Sequence, residues 1–281
     1  VRTTTTRTAI ALATALTLAL TACGTDSDPD TGDDAGSGEA QNLSLRVAAS
    51  PVPHADILNF VQENLAEDAG LELTVEEFDD YVLPNTALQD GEVDANFFQH
   101  QPYLDDFNEK QGTTIVGLTD VHLEPLGLYS GSLDSIDDLG EGDTIAIPDD
   151  ATNAGRALQL LAGHGLITLA DGVGAEATLG DITDDGGITF NELEAATLPR
   201  VLDDVDAAVI NGNYALEADL SPAEDSLALE EAEGNPYANF LAVKEGNEGD
   251  EAVAVLSDLL TSDEVRQFIE ETYEGSVLPA F

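Results

Sequence analysis

Leu43-Ser-Leu-Arg-Val-Ala-Ala49, the segment His54 to Ala69, and Leu71-Glu-Leu-Thr-Val-Glu-Glu-Phe78 together decide the fold class. The first run alternates apolar and polar residues, as a half-buried strand does. After Pro51 and Pro53 the period lengthens, and Ile57, Leu58, Val61 and Leu65 fall on one helical face before Gly70 stops it. The third run is again a strand. A strand, helix, strand unit is the mark of a parallel sheet with crossover helices, because parallel neighbours need a long return connection.

Working outward toward the C-terminus, the pattern recurs. Short strands are expected near Val93 to Phe97, Thr114 to Leu118, Thr144 to Ile147 and Ala207 to Ile210, with helices beginning near Pro84, Gln101, Thr152 and Asn213. Tyr237 to Val243 adds a further strand-like run. A last helix is predicted after Thr261-Ser-Asp-Glu264, read as a capping box, with Val265, Phe268 and Ile269 on one face and Gly275 beyond its end. The chain is therefore α/β throughout, with roughly nine strands, no visible internal repeat and no catalytic signature. An exported protein of this kind is expected to be a two-lobed binder whose ligand lies between lobes.

Export is read from the other direction. Val1-Arg2 is followed by a Thr-rich run to Arg7, an apolar stretch from about Ala9 to Leu20, and Leu20-Thr-Ala-Cys-Gly24. This has the layout of a secretory signal, too short to span a bilayer. The single cysteine of the chain, Cys23, closes it in the manner of a bacterial lipobox, so residues 1–22 are expected to be removed and Cys23 lipidated. A lone cysteine also excludes internal disulfides and a cysteine-based zinc site. Residues 23–42 hold Asp, Gly, Ser, Thr and Glu with no large apolar side chain beyond the anchor, the composition of a flexible acidic tether. The expected location is the extracytoplasmic face of the cell membrane.

The chain carries 57 acidic against 8 basic residues, a formal net charge of −49. Such a surface repels nucleic acid and anionic lipid. It suits a protein kept soluble in high salt, where repulsion is screened, and points to a halophilic source.

Two segments narrow the function: Tyr81-Val-Leu-Pro-Asn-Thr-Ala-Leu88 and Gly91-Glu-Val-Asp-Ala-Asn-Phe-Phe-Gln-His-Gln-Pro-Tyr-Leu104. In order after them come Gly127-Leu-Tyr-Ser130, Thr152-Asn-Ala-Gly-Arg-Ala-Leu158, Gly165 to Gly174, Glu192-Leu-Glu-Ala195, Leu198-Pro-Arg200, Val209-Ile-Asn211 and Pro236-Tyr-Ala-Asn239. From Leu43 to the C-terminus the chain resembles the methionine-binding lipoprotein (NlpA) family. The resemblance implies a two-lobed type II periplasmic-binding-protein-like fold, a free amino acid as ligand, and delivery to a membrane-embedded ABC importer with its own ATPase. It implies no cofactor and no catalysis. It also carries over Tyr81, Phe98, His100, Tyr103, Arg156, Asn211 and Asn239 as ligand-binding positions.

Each of these has a physical rationale. An amino acid's carboxylate needs a fixed cation when buried. Arg156 offers a planar two-pronged donor in the first turns of a helix whose expected cap is Thr152. Asn153 lies three residues earlier and shares that helical face. Asn211 follows an apolar strand and Asn239 lies in another; each amide supplies donor and acceptor without charge. Tyr81, Phe98 and Tyr103 would surround a thioether, where sulfur gains roughly 0.3–1.5 kcal/mol per aromatic contact. His100 either donates to the ligand or orders Tyr103. Glu124, beside the expected crossing near Pro125, is a further polar position without an assigned role. The lobes are expected to comprise 43–124 plus 236–281, and 125–235.

Other signals count for less. Asp181-Ile-Thr-Asp-Asp-Gly-Gly-Ile-Thr-Phe-Asn-Glu192 mimics an EF-hand loop, but Thr stands at its third position, no entering helix precedes it, and Ile188 to Leu193 alternates like a strand. The histidines, His54, His100, His122 and His164, show no metal-ligand spacing. Lys110 and Lys244 sit in no SxxK motif, and there is no GxSxG elbow or phosphate loop. The rival from another class is a metal-binding surface lipoprotein using the Asp181 loop or histidine with acids. Within the class, the rivals are other apolar amino acids or a methionine-containing dipeptide.

Overall fold

A computed structural model describes residues 43–281; the apolar leader, Cys23 and the tether lie outside the described residues. The opening unit consists of β1 (Leu43–Ala49), α1 (Asp56–Asn64) and β2 (Leu71–Glu77). β1 and β2 pair in parallel from Leu43 opposite Leu71 to Ala49 opposite Glu77. α1 buries Ile57, Leu58 and Val61. It is shorter than the periodicity predicts: Pro51–Ala55 forms a separate wide turn, and the chain leaves the helix at Leu65 through turns that end at Gly70, with φ 71°. Two prolines in the entry segment remove the amide donors a regular first turn would place there.

The chain continues through α2 (Leu83–Asp90), β3 (Ala95–His100), α3 (Gln101–Gln111) and β4 (Ile115–Leu123) before crossing to a second lobe. There it forms β5 (Gly127–Tyr129), β6 (Thr144–Pro148), α4 (Ala151–Gly163), β7 (Thr168–Leu169), β8 (Ile182–Asp184), β9 (Thr189–Leu193) and β10 (Ala207–Ile210). Two short helices, α5 (Gly212–Glu217) and α6 (Pro222–Asp225), and β11 (Ala228–Leu229) complete this part. The chain then returns as β12 (Asn239–Lys244), α7 (Glu251–Leu260), α8 (Asp263–Tyr273) and β13 (Leu278–Pro279).

Six strands make one sheet, in the order β13-β4-β12-β3-β1-β2, and five make the other, β11-β5-β10-β6-β9; β7 and β8 form a separate pair. The sheets are mixed rather than purely parallel. β12 runs antiparallel to both β3 and β4, because the chain re-enters the first lobe from the opposite end. Each sheet has its own core. Val47, Phe97 and Leu241 pack against Ile57, Leu256 and Ile269 in the first. Ile145, Ile147 and Val209 pack against Leu158 and Leu161 in the second. With a separate sheet and core in each, the chain is a two-lobed α/β protein.

The C-terminal helix corrects one sequence expectation. Ser262, not Thr261, caps α8: its backbone is extended and its hydroxyl accepts from the Val265 amide at 3.3 Å. Thr261 closes the preceding helix α7 and donates its hydroxyl to the Ser257 carbonyl at 3.0 Å.

Candidate ligand cleft

The cleft is anchored at the start of α4. Asp150 is the cap of this helix, with extended backbone and a carboxylate accepting from the Asn153 amide at 2.9 Å. Thr152, the cap expected from sequence, is already helical and donates its hydroxyl to Asp150 at 3.0 Å. A carboxylate two residues upstream outcompetes the hydroxyl because it accepts from several donors at once and lies at the positive end of the helix dipole. Asn153 also donates its side-chain amide to Asp150, at 3.0 Å to each oxygen. Three residues on, Arg156 shares the same face, and the two side chains are 1% and 4% exposed.

Arg156 is held rigidly. Its Nε donates to Glu230 at 2.9 Å, one terminal nitrogen, Nη2, donates to the same carboxylate at 2.5 Å and to the Glu124 carbonyl at 2.9 Å, and its guanidinium carbon lies 4.2 Å from the centroid of the Tyr237 ring. Burial alone pushes Glu230 upward, but hydrogen bonds and charge from Arg156 outweigh it, so the carboxyl sits below its ordinary range. The second terminal nitrogen, Nη1, takes part in none of these bonds, which leaves one donor edge of the fork for the cleft.

An aromatic wall faces this cation. The Tyr81 ring centroid lies 6.0 Å from Phe98 and 5.8 Å from Tyr103. Tyr81 donates its hydroxyl to Asn213 at 2.5 Å, and Tyr103 donates its own to the Tyr81 carbonyl at 2.8 Å. β3 separates its two phenylalanines by strand alternation: Phe98 joins the wall while Phe97 turns into the first core.

His100 orders its surroundings through both nitrogens. Nδ1 accepts from the Tyr103 amide at 3.2 Å, capping α3, so the ring proton must sit on Nε2, which lies 3.2 Å from the Asn153 amide oxygen. The same oxygen accepts from Asn211 at 3.0 Å. Burial, reinforced by the Arg156 charge, lowers the His100 pKa to about 3 and keeps it neutral.

All eight positions singled out in the sequence, Tyr81, Phe98, His100, Tyr103, Asn153, Arg156, Asn211 and Asn239, line one narrow cavity, together with Gln99, Glu124, Gly212 and Asn213. The sequence reading missed Asn213, Glu230 and Tyr237. Asn213 lay within reach, two residues beyond Asn211 at the start of α5; the Arg156 partners are distant in sequence, and no local pattern marks them.

The histidines correct the sequence picture more sharply. His54 and His122, 68 positions apart in a chain where spacing showed nothing, meet at Glu124. One carboxylate oxygen lies 2.7 Å from His122 Nε2 and 3.2 Å from His54 Nε2, and His54 is also 3.1 Å from the Asn239 amide oxygen. Burial lowers His54 to about 4 and His122 to about 3, and raises Glu124. These three are the cluster with metal-ligand chemistry among the described residues. A metal would use the same three atoms, but neither imidazole Nδ1 has the hydrogen-bond partner that orients metal-bound histidines.

The EF-hand-like loop is a strand, a turn and a strand. Asp181 is engaged by the Thr178 hydroxyl at 2.7 Å, Asp184 and Asp185 accept from the Gly186 and Gly187 amides at 3.1 and 2.9 Å, and Glu192 lies on β9 opposite Ile147. Its oxygens close their own turn.

A sequence profile of the NlpA lipoprotein family matches residues 45–281. The chain belongs to the NlpA lipoprotein family. This NlpA lipoprotein is 42% identical over 230 residues to membrane lipoprotein TpN32 of Treponema pallidum, covering 81% of this chain and 85% of the relative. It is 40% identical over 222 residues to the D-methionine-binding lipoprotein MetQ of Escherichia coli, covering 78% and 82% respectively. Among solved structures, a nutrient binding protein from Burkholderia cenocepacia bound to methionine superposes with a TM-score of 0.81 at 42% identity, covering 84% of this chain and all of that one.

Proposed function

We propose that this NlpA lipoprotein captures methionine or a close analogue outside the cytoplasm and delivers it to an ABC importer, without chemistry of its own. One observation carries the reading: a preorganised guanidinium, three asparagine amides and an aromatic wall converge in a single cavity between two lobes. The free edge of Arg156 suits the ligand carboxylate, the amides of Asn153, Asn211 and Asn239 suit its polar head, and Tyr81, Phe98 and Tyr103 suit a thioether tail. Relatives named for methionine, and one solved with methionine bound, support the same choice. Lobes of 43–124 plus 236–281 and of 125–235 would close on the ligand, and Cys23 would tether the chain to the extracytoplasmic face of the membrane.

Isothermal titration of the full chain, dialysed free of small molecules, with L- and D-methionine tests this. One-to-one binding of either enantiomer is expected, with the Arg156→Ala variant weakened at least about 100-fold, as removing one side of a buried charged contact requires. A folded protein that ignores both enantiomers sinks methionine as the ligand; leucine and methionyl dipeptides then become the panel.

A further inference from the structure

At its guanidinium end the cleft is closed by a partition that one side chain completes. Arg156 lines both the inner cavity and an open groove on the outer surface, where Gly163, His164 and Leu229 also lie. Glu230 stands on the groove side and holds the Nε and Nη2 edge of the guanidinium, so the planar fork spans the partition with its Nη1 edge left for the cleft. Tyr237 fills the rest. Its ring covers the guanidinium at 4.2 Å and meets the His100 ring edge-on, with centroids 4.9 Å apart. His100 lines the cavity and Tyr237 lines the groove, so the phenol ring lies between the two spaces. The backbone that carries it is fixed. Tyr237 donates its amide to the Asn235 side chain at 2.9 Å, and Asn235 in turn donates to the Glu231 carbonyl at 3.0 Å. Tyr237 is buried, and both of its contacts are made by the ring rather than the hydroxyl.

We propose that Tyr237 determines specificity by sealing the carboxylate end of the cleft, so that the protein takes free amino acids and rejects peptides extended at that carboxylate. This rests on the proposed amino-acid cleft, in which Arg156 holds the ligand carboxylate, and deepens it. An added residue has to pass the guanidinium toward the groove, and the Tyr237 ring occupies that route. A close-packed ring moves aside only by giving up its contacts, which here include the attraction of a buried cation for its face. Exclusion of this kind discriminates by a clash with the wrong ligand instead of a further contact with the right one. Glu231, on the groove side, adds repulsion against the carboxylate that an extended peptide would carry there.

The test is calorimetric titration of the full chain and of its Tyr237→Phe and Tyr237→Ala variants with two pairs, methionine against methionylglycine and leucine against leucylglycine, each in both enantiomers. The wild type should bind the free amino acid of a bound pair at least about 100-fold more tightly than its dipeptide. Tyr237→Phe keeps the ring and should keep that ratio within about threefold. A phenol ring is larger than a glycine unit, so Tyr237→Ala should strengthen dipeptide binding at least about 10-fold in absolute affinity while weakening the free amino acid. A merely structural loss would weaken both. Tyr237→Leu, which replaces the ring by a shorter branched chain, gives the same readout if Tyr237→Ala does not fold. A wild type that binds both members of a pair within about threefold overturns the proposal whether or not the variants fold. So does a folded ring-deleted variant whose dipeptide affinity does not rise, or a Tyr237→Phe that gains the dipeptide. If the leucine pair behaves as expected and methionine does not bind, Tyr237 keeps its role and methionine falls as the ligand. Binding of nothing in the panel overturns both.

Discussion

His100 carries two duties that a single substitution can separate. Its Nδ1 caps α3 and its Nε2 reaches across the cleft to Asn153. Asparagine is among the best capping residues, so His100→Asn should keep the helix start while removing a titrating ring. In the parent, the folded pKa is about 3 against an ordinary value of 6.5. Between those values the unfolded chain binds a proton that the folded chain refuses. The contribution of His100 is therefore fully present above pH 6.5 and is lost as pH falls toward 3. The variant should show a shallower acid slope, by about 1.4 kcal/mol per pH unit in that window, in urea titrations at a series of pH values. An unchanged slope would mean the ring is charged in the fold. At this scale, legibility in sequence followed chemistry that is local. Arg156 and Asn153 were readable because a helical turn joins them; Glu124 was readable only as a polar position without a role, and its meeting with His54 was not, because the wide turn at Pro51–Ala55 reaches the end of β4 through tertiary packing that leaves no spacing to find.

Helix α4 shows how an element is fitted to its neighbours. A Cβ on Gly155 would lie 2.1 Å from the Ala175 carbonyl oxygen, a backbone atom that cannot swing aside. Gly155→Ala should therefore destabilise the chain by about 3 kcal/mol and lower the thermal midpoint, although alanine is the better helix former. A midpoint equal to or above the parent's would show that the segment around Ala175 yields. The start of α8 offers a paired test of capping. Ser262→Ala should cost about 1 kcal/mol, and Thr261→Ala less than about 0.5 kcal/mol, by chemical denaturation. Equal losses would return the cap to Thr261. Boundaries such as this one escape the sequence because Thr261 and Ser262 are both good caps, and the choice depends on where α7 ends. Strand and helix types, by contrast, were legible: the apolar period of 2 in β1 and the helical spacing of Ile57, Leu58 and Val61 are imposed by the core they cover. The antiparallel course of β12 was not, since direction within a sheet depends on the path of the whole chain.

At the scale of the molecule, 57 acids against 8 bases mean that like charges crowd the surface. Added salt screens them, so the thermal midpoint should rise steadily between about 0.1 M and about 1 M potassium chloride, where the screening length falls from about 10 Å to about 3 Å. A midpoint independent of salt would show that the fold does not feel its net charge. Apart from Arg156, which donates to the Glu124 carbonyl and lies against Tyr237, the hydrogen bonds that join the two lobes come from neutral groups. His100 reaches the Asn153 oxygen, Tyr81 reaches Asn213, and Tyr214 donates to the Asp79 carbonyl at 3.1 Å. Water replaces each such bond at a net loss of only about 1 kcal/mol. The consequence is one of timing. On the proposed function, jaws with so few bonds of their own would open once the occupant's contacts fail, so the residence time of a captured solute and the lifetime of the closed shape would be a single clock.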